Sequence, residues 1–426
     1  MAEKGKGKSE NYRIYCHGFC KLFPWDRFTN AGKRAILCAV KKYLNASYAL
    51  YLSLYWMSAC FVYGYTRLFM DRLGYSADQV GLVLALDCAA AMVLQPLLAR
   101  AMERSERFTL RHVLILLCLV ALISGGLLLL PLPRGAFVCL FAAMSIMTMT
   151  LQPFMNAVGF DYINRGQNLN FAATRGVASL AFALVAKAYA ALAEVDLDYL
   201  LVIYLLFTAG ILAMSLLLAG KGKEASAPRS RANRGSLLKS YPFFFGMLLS
   251  MVLIFFQHGF LDAYLYDIIL AVGGDARSLG TALLIGAAVE TPMMLMFAWV
   301  ERKFGVGRCL RFSAAAMALK TWFILLLGSV WGVYLMRFCH FFSYALLMPA
   351  LIYYTNGRMA DSDRVTGQAL ITGSISLAGM FSYLTGGLMV SAWGPMRGLL
   401  VCTLIGMVGG VLFILFCEKD RKQSQA

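Results

Sequence analysis

Apolar runs of about 20 residues, each long enough to cross a bilayer as a helix, recur along almost the whole chain. No other feature limits its fold so strongly. A segment in lipid must satisfy its own backbone, which leaves helices or a closed barrel, and these runs are about twice the length of a barrel strand. The 426 residues are 60% hydrophobic and only 14% charged, whereas soluble domains carry about a quarter charged residues. Twelve spans are expected, near 46–68, 79–100, 113–131, 136–160, 171–193, 199–219, 242–272, 279–300, 309–330, 331–355, 366–391 and 396–417. The fold class predicted is therefore an all-α, multi-pass membrane protein with twelve transmembrane helices.

A net charge of +17 could suggest nucleic acid, but the distribution argues against it. The stretch Gly220–Tyr241, GKGKEASAPRSRANRGSLLKSY, holds six Lys/Arg, residues 1–45 hold ten, and the turn Glu194–Asp198, EVDLD, holds none. Basic segments stay on the cytoplasmic side, which predicts cytoplasmic N- and C-termini and no nucleic-acid partner. The polar stretch also divides the spans six and six. The expected organisation is a basic extension (1–45), a six-helix bundle (46–219), a basic linker (220–241), a second six-helix bundle (242–417) and a short tail (418–426).

The first residues have no continuous apolar core, so no cleavable signal peptide is expected. Lys33–Leu44 puts Ile36, Leu37, Val40 and Leu44 on one helical face, suited to the anionic inner leaflet, with a short solvated helix as the alternative. Most of the eleven cysteines lie within spans and read as small apolar fillers rather than a disulfide framework. CHGFC (Cys16, His17, Cys20) offers too few well-spaced ligands for zinc, and no metal or other cofactor is expected.

The charges inside the spans are more informative. Lys320 lies about ten residues before the turn at Ser329–Trp331 and His340 about ten after it. At 1.5 Å per residue both sit roughly 15 Å deep, near the midplane. Glu290 and Asp262 fall at similar depth in their own spans, and Arg337 slightly shallower. A charge facing lipid there costs about 2.5–3.5 kcal/mol, so five such groups are expected to face a hydrated cavity or one another. Ion pairs that merely join helices are the structural alternative. In the first half, Asp87 is mid-span and assigned to the cavity, whereas Lys187 is close enough to a helix end to extend its ammonium into water.

Three segments carry a resemblance: GYSADQVGLVLALDCAAAMVLQPLLARAMER (Gly74–Arg104), NLNFAATRGVASLAFAL (Asn168–Leu184) and VTGQALITGSISLAGMFSYLTGGLM (Val365–Met389). They are similar to the second, fifth and eleventh helices of the oligosaccharide:proton symporter, or lactose permease-like, branch of the major facilitator superfamily. The resemblance runs over roughly 46–417. It implies two parallel six-helix repeats with the site at their interface. It also places Arg175 where that family binds sugar hydroxyls and Phe182 where it stacks an aromatic ring on the sugar. The family's acid on the fourth helix is replaced by Ala157, with Asn156 beside it and Asp161 one turn on. Arg175, Phe182, Asn156, Asp87 and Asp161 make the expected substrate-binding set.

In the second half, Lys320 and His340 keep the spacing of the family's Arg and His, although Lys lacks the bidentate fork. Asp262 and Arg337 match a structural charge pair. The family's proton-carrying glutamate is replaced by Ser343, so proton coupling falls to Glu290 with His340 and Lys320, which is the favoured assignment, or to Asp87. The function expected is secondary active transport of a small polar solute, a sugar, oligosaccharide or nucleoside-like compound, by alternating access with proton symport. Sodium coupling or uncoupled facilitation, proton-driven efflux of hydrophobic drugs, and a non-transporting sensor or enzyme are the alternatives. The expected setting is the plasma (inner) membrane, with a monomeric chain whose partners are its solute and the lipid bilayer.

Overall fold

In the computed structural model, residues 43–105, 107–219 and 239–425 are described. The Lys33–Leu44 segment up to residue 42, the CHGFC motif and most of the 220–241 linker lie outside them. Tyr48–Ala426 form one compact unit; of the unit before it, Met1–Ser47, only residues 43–47 are described.

All regular elements among the described residues are helical. The first-half helices are α1 (Leu44–Cys60), a π turn (Phe61–Tyr65), α2 (Thr66–Arg72), α3 (Ala77–Arg104), α4 (Leu110–Leu127), α5 (Arg134–Asn164), α6 (Phe171–Ala193) and α7 (Asp198–Leu218). The second-half helices are α8 (Pro242–Ala263), α9 (Leu265–Ala271), α10 (Ala276–Phe304), α11 (Val306–Leu319), α12 (Trp322–Leu327), α13 (Val330–Phe338), a 3₁₀ turn (Cys339–Phe341), α14 (Tyr344–Arg358), α15 (Asp361–Trp393) and α16 (Pro395–Gln425). Taken with their continuations, eleven helices among the described residues are long and apolar enough to cross a membrane. The run Leu44–Arg72 is not among them, because the π turn splits it into pieces of 17 and 7 helical residues.

Local sequence explains the helix starts. Ser76 and Gln79 make a reciprocal capping box before α3, with Gln79 Oε1 accepting from the Ser76 amide at 3.2 Å. Asn170 Oδ1 accepts from Ala173 N before α6 (3.0 Å), and Asp275 Oδ1 from Ser278 N before α10 (2.8 Å). Pro242 opens α8, where its missing N–H leaves no bond unmade. Large apolar side chains such as Leu184, Leu326 and Trp331 are exposed, consistent with helices surrounded by acyl chains rather than water.

The helices connect at two ends: the linker end, where α7 stops and α8 starts, and a far end carrying the turns 73–76, 194–197 and 272–275. One apolar core mixes both chain halves, joining Tyr65, Leu68, Tyr189 and Tyr204 to Tyr264, Ile268, Leu279 and Val333. A second core is drawn from residues 244–417 alone, among them Phe244, Met293, Leu347 and Phe413. α6 runs along α10 and α3 along α15, so each of these first-half helices is paired with one of the second half.

Candidate functional site

The ionisable groups inside the spans sit where helices break. Asp262 lies two residues before Tyr264, which separates α8 from α9. Lys320 follows the last residue of α11, and His340 occupies the 3₁₀ turn between α13 and α14. Glu290 precedes Pro292 by two residues inside α10, and proline there removes one backbone bond of the helix. Broken backbone at membrane depth is tolerated only where protein or a wet cavity receives its polar groups. The irregular backbone and the ionisable side chains thus occupy one layer.

Within that layer the second-half groups form an unbroken series. Arg337 Nη1 donates to Asp262 Oδ1 at 3.0 Å. The other Asp262 oxygen is 3.5 Å from His258 Nε2. Lys320 Nζ is 3.5 Å from His258 Nδ1 and 3.5 Å from His340 Nδ1. His340 Nε2 completes the series 3.8 Å from Glu290 Oε1. An ammonium can only donate, so each imidazole accepts from Lys320 on Nδ1 and is left to donate from Nε2 towards a carboxylate. Lys320 is 2% exposed, which leaves its ammonium no route to bulk water. The Tyr344 ring lies 5.3 Å from His258 and 5.5 Å from His340, holding both imidazoles in place.

The first half faces this series with a cation and a group of aromatic rings. Arg175 Cζ lies 3.9 Å from the centroid of the Trp56 ring, and its Nη1 donates to Ser179 Oγ at 2.9 Å. Phe182 meets Trp56 edge-on at 6.2 Å, Tyr55 does so at 5.4 Å, and Tyr63 lies 6.5 Å away. Tyr63 belongs to the π turn that interrupts the first span, and such turns re-aim side chains at functional positions. Arg175 and Glu290 flank a direct contact between the halves: Thr291 Oγ1, next to Glu290, donates to the carbonyl of Gly176, next to Arg175, at 3.3 Å.

Other residues singled out in the sequence lie elsewhere. Asp161 pairs with Arg165 (2.8 Å) at the linker end of α5, away from the charged layer. Asn156 is partly buried on α5 and makes none of the bonds described above. Asp87 is fully buried on α3 and faces Ser145 of α5. Lys187 donates to Thr281 Oγ1 at the far end. His258, Trp56 and Tyr344 were missed. For His258 a signal existed, because it precedes Asp262 by one helical turn. Trp56 had only its mid-span depth.

The far end is bonded between the halves. Arg67 Nε and Nη2 grip the two carboxylate oxygens of Asp267 at 2.8 and 2.7 Å. Ser391 Oγ donates to Asp78 Oδ1 at 2.7 Å, and Arg277 pairs with Glu194 at 2.6 Å. A Cβ at Gly81 would strike the Tyr264 hydroxyl and the Tyr383 carbonyl, so glycine permits the close approach there. A shallow pocket lined by Lys187, Glu194 and Arg277 lies at this mouth, well removed from the charged layer. At the linker end, the pairs Arg311–Glu418 and Arg358–Asp420 each stay within the second half.

These features define a multi-pass membrane protein of transporter type. The profile of the MFS_1 like family matches residues 45–398, and the chain belongs to that family of major facilitator transporters. No curated protein matches the sequence. Among solved structures, the fold is similar to the nucleoside transporter NupG, with a TM-score of 0.64, 12% identity, and 90% of this chain and 100% of that one covered. A mutant form of NupG matches with a TM-score of 0.66 and 15% identity, covering 87% and 100%. A bacterial homologue of the human lysosomal transporter Spinster, inward-facing and unoccupied, matches with a TM-score of 0.61 and 14% identity, covering 90% and 98%.

Proposed function

We propose that this transporter moves a small polar solute with a ring, of the sugar or nucleoside class, by proton-coupled symport across the plasma membrane. The observation that carries the reading is the opposition of Arg175, seated on Trp56, to the Glu290–His340–Lys320 series at the contact between the halves. Trp56 and Phe182 offer apolar faces for a ring, and Arg175 offers fixed donors for hydroxyl or carbonyl oxygens. The description of NupG as a nucleoside transporter favours the nucleobase-bearing member of that class.

In this reading Leu44–Arg72 is the twelfth span, crossing as one helix through its π turn. The basic linker and both termini face the cytoplasm, as the positive-inside rule requires. The far end is then extracellular, and the bonds across it hold a state closed to the outside. Glu290 is the proton carrier: gaining a proton removes the charge that Arg175 and His340 face, which alters how the halves attract one another. His340 and Lys320 relay this change towards Asp262.

Reconstitution tests the proposal. Purified protein in sealed vesicles is given labelled sugars and nucleosides with and without an inward proton gradient. Accumulation above equilibrium that collapses with the gradient is expected for at least one compound. Equilibration without accumulation removes symport, and no movement of any compound removes this solute class.

A further inference from the structure

Asp87 stands apart from every ionisable group discussed so far. It is fully buried, and neither carboxylate oxygen has a hydrogen-bond partner. Ser145 on α5 faces it, and the Ser145 Oγ is likewise without a partner. On the elements packed against α3, among the described residues, no Lys, Arg or His faces the carboxyl. Its one titratable neighbour is the Cys88 thiol, next in the chain, and the phenols of Tyr63 and Tyr383 gather on Cys88 instead.

An ionised carboxylate in such a place would lack a counter-charge and have only the Ser145 hydroxyl to donate to it, a combination proteins avoid because of its desolvation cost. A bare metal cation is a poor alternative. Asp87 and Ser145 together bring three oxygens, whereas hard cations take about six. The ligand that suits a solitary carboxyl is a proton.

We propose that Asp87 is a proton-binding site of the first half, distinct from the Glu290 series and occupied while the far end is closed. The place of Asp87 in the packing gives it a release route. Cys88 Sγ donates to the Ser376 carbonyl of α15 at 3.5 Å, in the same α3–α15 seam that Asp78, Ser391, Gly81 and Gly387 close further out. When the halves part along that seam, water reaches the carboxyl and the proton leaves. Bond balance is simple: the O–H bond of the acid breaks, its electron pair stays on Asp87, and the proton passes to water. The proposal rests on the transporter reading for its purpose, but its test needs no solute.

The test is infrared spectroscopy of the full-length protein in lipid vesicles, following the C=O stretch of buried carboxylic acids as pH is varied. Wild type is expected to show a band near neutral pH that is lost completely in Asp87→Asn and kept in Glu290→Gln. Asp87→Glu should shift that band instead of abolishing it, which keeps the assignment open to test if the asparagine variant does not fold. A spectrum unchanged in Asp87→Asn overturns the site. Loss of the band on adding sodium chloride at constant pH assigns a metal cation and overturns the proton. Failure of solute transport with these bands intact would remove the symport reading and leave the Asp87 site standing.

Discussion

Arg67 and Asp267, 200 residues apart in the chain, meet in a two-pronged ion pair at the far end, with both side chains about nine-tenths buried. Arg67 also reaches Asp71 at 2.9 Å, so one guanidinium ties α2 to itself and to α9 of the other half. The pair closes one mouth of the protein while the charged layer lies deeper. Alternating access requires such bonds to break in each cycle.

Removing one partner should therefore shift the resting conformation. Arg67→Ala leaves Asp267 buried beside no cation, a loss of roughly 2–5 kcal/mol for the closed state. A shift of that size moves a two-state equilibrium by a factor of 30 or more. Spin-label distances between Ser76 and Asp275, both replaced by cysteine, should lengthen in Arg67→Ala. The exchange of Arg67→Asp with Asp267→Arg should restore the shorter distance, and unchanged distances in both proteins would remove the pair as a lock.

Asp262 and Arg337 should behave as a unit. Asp262→Asn takes the anionic partner from the buried Arg337 guanidinium and, the carboxylate being two-fifths exposed, is expected to cost about 1.5–3 kcal/mol, read as a lower melting temperature and poorer expression. Asp262→Asn combined with Arg337→Gln should recover most of that loss. Equal melting temperatures for single and double variants would show that the two are not coupled.

Glu290→Gln should abolish uphill accumulation while sparing exchange of solute across the membrane. His340→Gln breaks the same series one step on and should impair accumulation more than exchange. Normal accumulation by Glu290→Gln would move coupling to another group.

Trp56 gives Arg175 its seat. Trp56→Ala should weaken solute binding by about 1 kcal/mol, roughly five-fold in Kd, the magnitude of a partly buried cation–π contact. Trp56→Phe should lose less. A Kd unchanged in Trp56→Ala, measured by calorimetry, would remove the ring from the site.

One expected pH dependence lies outside the membrane. The Ser278 hydroxyl and amide donate to Asp275 and hold its carboxyl below the usual aspartate range. A lowered pKa stabilises the fold above the ordinary carboxylate value of about 4 and loses that contribution as pH falls through the folded value. Asp275→Ala should lower stability at pH 7 by about 1 kcal/mol, the usual worth of an N-cap. The difference in melting temperature from wild type should shrink in acid.

Residue counting was enough to group Glu290, Lys320, Arg337 and His340 at one depth, because depth follows from the constant rise of a helix. It was a weaker guide to direction. Asp161 is expected from the sequence in the substrate-binding set, yet it pairs with Arg165, the residue that caps its own helix. Asp87 shares the midplane and faces Ser145 rather than the opposing charges. His258 carried a signal only towards Asp262, one turn along its own helix; its contact with Lys320 of another helix is set by packing.

The sequence by itself determined that this chain is helical and membrane-embedded, since apolar length acts locally and adds along the chain. Only the tertiary structure decided which buried groups touch: the Arg337-to-Glu290 series, the seat of Arg175 on Trp56, the solitude of Asp87 and the bonded far end. Each residue turns a side chain by about 100° around its helix. Every break, at the π turn, Tyr264, Lys320 and the 3₁₀ turn, resets that angle. Facing partners are therefore set by how separate helices pack, which no single stretch of sequence specifies.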